Sequence, residues 1–94
     1  MVTYDWIIGI CSSGAGGVRF LRFRGTTEEA KQKLCSLVQE DRSNDIENWD
    51  YGTEEPEDVQ VQDGGLGYDL YAYGCYSDYH IDYSAKEWAH VDFE

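Results

Sequence analysis

Positive charge is what this sequence most lacks. Seven Lys and Arg stand against 19 Asp and Glu in 94 residues, a formal net charge of −12. The first 42 residues are nearly balanced, with Asp5, Glu28, Glu29, Glu40 and Asp41 against Arg19, Arg22, Arg24, Lys31, Lys33 and Arg42. After residue 42 there are fourteen acids and a single base, Lys86. Phosphate backbones and anionic membranes are gripped by clustered Lys and Arg, so direct binding to nucleic acid or to a membrane surface is not expected. Long apolar runs are missing too, and no stretch approaches the length of a membrane-spanning helix. Met1 to Gly9 has no basic start and only a short apolar stretch, so no secretory leader is expected and the cytoplasm is. Three cysteines, Cys11, Cys35 and Cys75, form an odd set without CxxC spacing. Reduced, mostly buried thiols fit that pattern.

Apolar and aromatic residues are not lacking. They make up 41% and 15% of the chain, too much for a disordered segment despite the charge. The length suits one domain with a modest core. Residues 3–11, TYDWIIGIC, are rich in aromatic and β-branched side chains and read as a strand. Residues 17–24, GVRFLRFR, read as its hairpin partner, with Arg19, Arg22 and Arg24 as a small basic stripe. Residues 26–42 carry the helix. Thr26 and Glu29 have capping-box spacing, Glu28 and Glu29 suit the positive first turn, and Ala30, Leu34, Leu37 and Val38 share one face. Cys35 lies off the centre of that face, and Ser-Asn-Asp at 43–45 ends the helix.

Residues 43–58 form an acidic connector without a base and with the chain's one proline. Ile46, Trp49 and Tyr51 are expected to pin it to the body. Residues 58–63, DVQVQD, alternate and read as a short strand, and GGLG marks a turn. The stretch YDLYAYGCYSDYHIDY, residues 68–83, then reads as two strands joined at Ser77-Asp78. Alternation puts Tyr68, Leu70, Ala72, Gly74, Tyr76, Tyr79, Ile81 and Tyr83 on a core face. Asp69, Tyr71, Tyr73, Cys75, His80 and Asp82 fall on the face the helix leaves open. The expected fold is α+β, a two-layer sandwich with one helix on a mostly antiparallel sheet in the order β-β-α-β-β-β.

Motifs for chemistry fail one by one. A calcium loop beginning at Asp41 supplies Asp41, Ser43, Asp45 and Glu47, but places Ile46 where glycine is required and Gly52 where glutamate is. No metal or cofactor is therefore expected. The glycines of GICSSGAGG lack the Walker lysine and lead into a strand, so they are turn glycines. Cys75 and His80, opposite each other with Asp82 nearby, are the one catalytic-looking set. The surrounding acids would raise the thiol pKa and keep the nucleophile protonated. His90 has no evident partner and reads as structural.

The stretches YDWIIGIC, SLVQEDRSNDIENWDYGTE and YAYGCYSDYHIDYSAKEW resemble short acidic proteins from mobile elements of gut bacteria. By analogy of size and charge, such settings include inhibitors of host nucleases. The expectation is a non-enzymatic acidic binding module for a basic protein such as a nuclease, whose phosphate channel accepts carboxylates as mimics of nucleic acid. Its expected contact residues are Asp69, Tyr71, Tyr73, Asp78, His80 and Asp82, with Glu54, Glu55, Glu57 and Asp58 as a second patch. The alternatives are a small cysteine-dependent enzyme using Cys75 and His80, and a homo-oligomer that uses the open sheet face on itself.

Overall fold

The computed structural model describes residues 2–14 and 17–91. Strands β1 (Tyr4–Ser12) and β2 (Val18–Gly25) form the first hairpin, followed by helix α1 (Thr27–Asn44). Four more strands follow: β3 (Trp49–Gly52), β4 (Gln60–Val61), β5 (Asp69–Tyr76) and β6 (His80–Glu87). The sheet runs β2-β1-β6-β5-β3, with β4 also on the outer edge of β5. Every pairing is antiparallel. The helix packs on one face, so the α+β two-layer class expected above holds. The element order does not. It is β-β-α-β-β-β-β, because the acidic connector contributes a strand of its own.

The helix begins where the capping box sets it. Thr26 Oγ1 accepts the Glu29 N–H at 3.1 Å, and the Glu29 carboxylate accepts the Thr26 N–H at 2.9 Å. It runs through Ser43 and Asn44, two residues beyond the expected end, and Asp45 caps it. Ala30, Leu34, Leu37 and Val38 are buried against the sheet, and so is Cys35, whose thiol donates to the Glu54 carbonyl. From the sheet, Trp6, Ile8, Ile10, Leu70, Ala72, Ile81, Tyr83 and Ala85 complete the core.

Alternation along β5 and β6 gives the register read from the sequence. Ala72 lies opposite Tyr83, Gly74 opposite Ile81 and Cys75 opposite His80, and the Tyr76 N–H closes the turn on the Tyr79 carbonyl at 2.8 Å. Two of the core tyrosines converge on the end of the helix. The Tyr83 hydroxyl donates to the Asp41 carboxylate at 2.5 Å, and the Tyr76 hydroxyl donates to the Asp41 carbonyl at 2.8 Å. A buried phenol needs such a partner, and burial together with the Asp41 carboxylate pushes the Tyr83 pKa far up.

The connector is held at two points. The Trp49 ring lies on a glycine floor formed by Gly52 and Gly74, which face each other across β3 and β5. A Cβ at Gly74 would come within 2.2 Å of that ring, and one at Gly52 within 2.5 Å. Thr53 is the second point. It is 1% exposed, exchanges hydrogen bonds with the Tyr73 backbone, and accepts the Gln39 side-chain amide on its carbonyl. Of the three expected pins, Trp49 acts on the helix side and Tyr51 rests edge-on to Tyr73 on the other face, centroids 5.9 Å apart, whereas Ile46 pins nothing. Ile46 and Tyr51 are 61% and 57% exposed, because Ile46 opens a short 3-10 turn and Tyr51 points to the face opposite the helix. The strand expected at 58–63 is reduced to Gln60–Val61, since Pro56–Asp58 forms a 3-10 turn. The Asp63 carboxylate then organises the next turn by accepting the N–H groups of Leu66, Gly67 and Tyr68. Gly64, Gly65 and Gly67 supply the positive φ that turn requires. Burial raises the Asp63 pKa, but the N–H donors outweigh it and hold the carboxyl below its ordinary value.

Candidate functional site

Among the described residues no second layer covers the face of the sheet away from the helix, and at one end Trp88 lines a cavity with Asp5, Ile7 and Arg22. Register places its side chains in rows across β2, β1, β6 and β5. Arg22, Ile7, Lys86 and Asp69 make one row, Phe20, Gly9, Ser84 and Tyr71 the next, and Val18, Cys11, Asp82 and Tyr73 the third. Arg24 beside Asp5 extends one end, and His80 beside Cys75 and Tyr51 the other. Phe20 is 68% exposed and Val18 52%. The structure thus brings five of the expected contact residues, Asp69, Tyr71, Tyr73, His80 and Asp82, onto one surface. Asp78 sits in the exposed turn at the end of that hairpin.

The carboxylates on this face are engaged internally. Arg24 grips Asp5 through two hydrogen bonds, 2.8 and 3.2 Å, and this pairing lowers the Asp5 pKa. Asp69 lies 4.0 Å from Lys86. Asp82 accepts the Tyr71 hydroxyl and lies 3.5 Å from His80 Nε2. Burial and that carboxylate push the Tyr71 phenol up to about 12. On β2, β1, β6 and β5 the face carries Arg22, Arg24 and Lys86 against Asp5, Asp69 and Asp82, so it is close to neutral. The expected basic stripe is also divided. Arg22 and Arg24 lie on the open face, whereas Arg19, of opposite parity, reaches Asp41 on the helix side at 3.7 Å.

His80 belongs to a polar chain that sequence reading missed. Its Nδ1 meets Ser13 Oγ at 3.2 Å, and Ser13 Oγ also accepts the His80 N–H at 3.0 Å. Tyr71, Asp82, His80 and Ser13 are therefore linked in series. Cys75, although opposite His80 in register, turns its thiol to the Tyr76 carbonyl at 3.3 Å, and it raises the pKa of the neighbouring Tyr51. Both His80 ring nitrogens are directed elsewhere, to Ser13 and Asp82. An activated thiolate needs a base aimed at the sulfur, and His80 is not so aimed. His90 also has a partner the sequence did not suggest: its ring stacks on Tyr68, centroids 3.7 Å apart.

Comparison with known proteins gives no match to a family model, a curated protein or a solved structure. No helix among the described residues is long and apolar enough to cross a membrane. Nor do they include a cluster of three or more His, Cys, Asp or Glu side chains fit to hold a metal.

The unbalanced charge lies on the connector instead. Asp45, Glu47, Asp50, Glu54, Glu55, Glu57 and Asp58 occupy residues 45–58, and none of them appears in an ion pair among the described residues. Two are structural. Asp45 accepts the Asn48 amide, and Asp58 accepts the backbone N–H groups of Glu54 and Glu55. The expected second patch, Glu54, Glu55, Glu57 and Asp58, is exposed and rides on the 3-10 turn that packs against α1. It does not join the tyrosine-bearing face. The two expected patches are separate surfaces of opposite character, one aromatic and balanced, the other acidic and uncompensated.

Proposed function

We propose that this protein is a non-enzymatic binding module that presents its acidic connector to a basic, nucleic-acid-binding protein. The observation that carries the reading is the fixed backbone beneath the acids. Trp49 on its glycine floor and the buried Thr53 hold residues 49–53 to the sheet, and Asp58 closes the turn that follows. Carboxylates held this way lose little conformational freedom on binding. A channel built for phosphates meets them with Lys and Arg, and the exchange of counterions makes such contacts strongly salt-dependent. A nuclease of the host of a mobile element is the partner class this chemistry suits. Inhibition would follow from occupation of the channel, without any catalytic residue on this chain.

The test is capture from nuclease-treated bacterial lysate on the immobilised protein, beside the variant Glu47→Gln/Glu54→Gln/Glu55→Gln/Glu57→Gln. That variant spares the two capping aspartates. The expected result is a basic nucleic-acid-binding protein that elutes with salt, is displaced by duplex DNA, and is not retained by the variant. Retention of the same proteins by the variant, or no salt-sensitive capture at all, rejects the proposal.

A further inference from the structure

The open sheet face is independent of the acidic connector and raises its own question. A chain of net charge −12 keeps one broad surface balanced in charge and exposes Phe20 and Val18 on it. Scattered exposed apolar residues need no explanation, but a contiguous patch does. From the rows described above we infer that this face binds a second copy of the same chain, sheet against sheet, about a two-fold axis parallel to the strands and between β1 and β6.

The argument is the symmetry of the rows. A two-fold axis along the strands sets β2 of one copy over β5 of the other and β1 over β6. Each row then meets its own reverse. Arg22 lies over Asp69 of the second copy, Phe20 over Tyr71, Val18 over Tyr73 and Gly9 over Ser84. Opposite charges, a ring pair, a ring–aliphatic pair and two small residues at the centre oppose one another, Ile7 meets Lys86 and Cys11 meets Asp82 without such a match, and each contact occurs twice. Stacked sheets keep their strands within about 30° of each other, so the central rows stay in register. Eight-residue strands at about 3.3 Å per residue, four strands wide at about 4.8 Å, make a face of roughly 26 by 19 Å. That is about 500 Å² of flat area per partner, which side-chain relief enlarges, against about 800 Å² per partner in a standard stable interface. Glu54, Glu55, Glu57 and Asp58, carried by the 3-10 turn that packs against α1, lie away from this interface, whereas Asp50 and Tyr51 of β3 border it.

Sedimentation equilibrium or light scattering over a concentration series decides it, with circular dichroism as the check on folding. The expected species has twice the 10.8 kDa chain mass. Arg22→Asp and Asp69→Arg, taken singly, should each weaken dimerisation at least about tenfold, because close interfacial charge pairs are strongly coupled. The charge-swapped Arg22→Asp/Asp69→Arg protein should recover it. Phe20→Ser, on an exposed edge-strand position that does not threaten folding, should give monomer. A wild-type protein that stays monomeric at millimolar concentration overturns the inference. So does a dimer indifferent to Phe20→Ser and both charge reversals, or a charge swap that restores nothing.

Discussion

Replacing Gly74 by alanine tests whether one aromatic ring fastens the acidic connector. The added methyl would lie 2.2 Å from the Trp49 ring carbon Cη2 and 3.0 Å from Cζ3. Ordinary contact between such carbons is about 3.5–4.0 Å, so the ring must withdraw by more than about 1 Å. It has little room, since it stands edge-on to Tyr76 with centroids 5.0 Å apart and rests also on Gly52. Overpacking of this kind costs about 1–3 kcal/mol. If the ring is expelled instead, about 100 Å² of apolar surface returns to water at about 25 cal/mol per Å², and the edge-to-face pair, worth roughly 0.5–1.5 kcal/mol, is lost. The first route costs about 1–3 kcal/mol and the second about 3–4 kcal/mol, so a destabilisation of about 1–4 kcal/mol is expected. Urea denaturation followed by tryptophan fluorescence and far-ultraviolet circular dichroism measures it. The diagnostic comparison is the double-mutant cycle with Trp49→Ala. In that background Gly74→Ala should cost nothing, or stabilise slightly, because glycine is a poor strand residue. An equal loss in both backgrounds, or a loss below about 0.5 kcal/mol in the wild type, would refute the glycine-floor argument.

Two further outcomes follow from the tyrosines. Tyr83→Phe keeps the ring but removes the hydroxyl that donates to Asp41, and should cost about 1.5–3 kcal/mol in urea denaturation, the range for hydrogen bonds to charged groups. Alkali should destabilise the protein through Tyr71. Its pKa is raised from 10.0 in a free chain to about 12 by burial and by Asp82, so above pH 10 the unfolded chain ionises first. The stabilisation is fully present below pH 10 and is lost as pH rises toward 12. Phenolate absorbance should show Tyr51, Tyr71, Tyr76 and Tyr83 ionising above pH 10, and Tyr71→Phe should flatten the loss of stability. Simultaneous ionisation of all eight tyrosines near pH 10 in the folded protein would contradict the described environments.

The β5-β6 hairpin was legible because a period of two and a two-residue turn leave one register that buries Leu70, Ala72, Ile81 and Tyr83 together. The helix was legible for a similar reason: its cap and its apolar spacing are both local. The short strand β3 was not. Trp49–Gly52 has four residues, two of them exposed, inside an acidic run, and pairs with β5 because Trp49 finds the space over Gly74. That space was visible in the sequence as a gap, but not its occupant. Arg19 could have been separated from Arg22 and Arg24 by parity alone. Ser13 could not have been matched to His80, nor Asp41 to Tyr83, since those partners lie 67 and 42 residues apart and meet only when β1, β6 and α1 are assembled. The site split for the same reason. Acids and tyrosines lie close along the chain, whereas the fold sets Glu54, Glu55, Glu57 and Asp58 at the turn beside the helix and turns Tyr71 and Tyr73 to the open side of the sheet.

The outer edge of β5 is covered in two instalments, by β3 from within the acidic connector at one end and by β4, just after the connector, at the other. That arrangement makes the connector a guard over a tyrosine-rich strand as well as a candidate docking element. An uncovered edge is a template for further strands. Whatever draws the connector away, whether a partner that engages it too deeply or a lost anchor at Trp49, also bares that template. While the connector stays in place, its carboxylates repel other copies at that edge. Salt and acid weaken the repulsion without undoing the pairing, so aggregation through β5 should require detachment of the connector first, and tight binding and colloidal safety pull on the same sixteen-residue stretch from opposite directions.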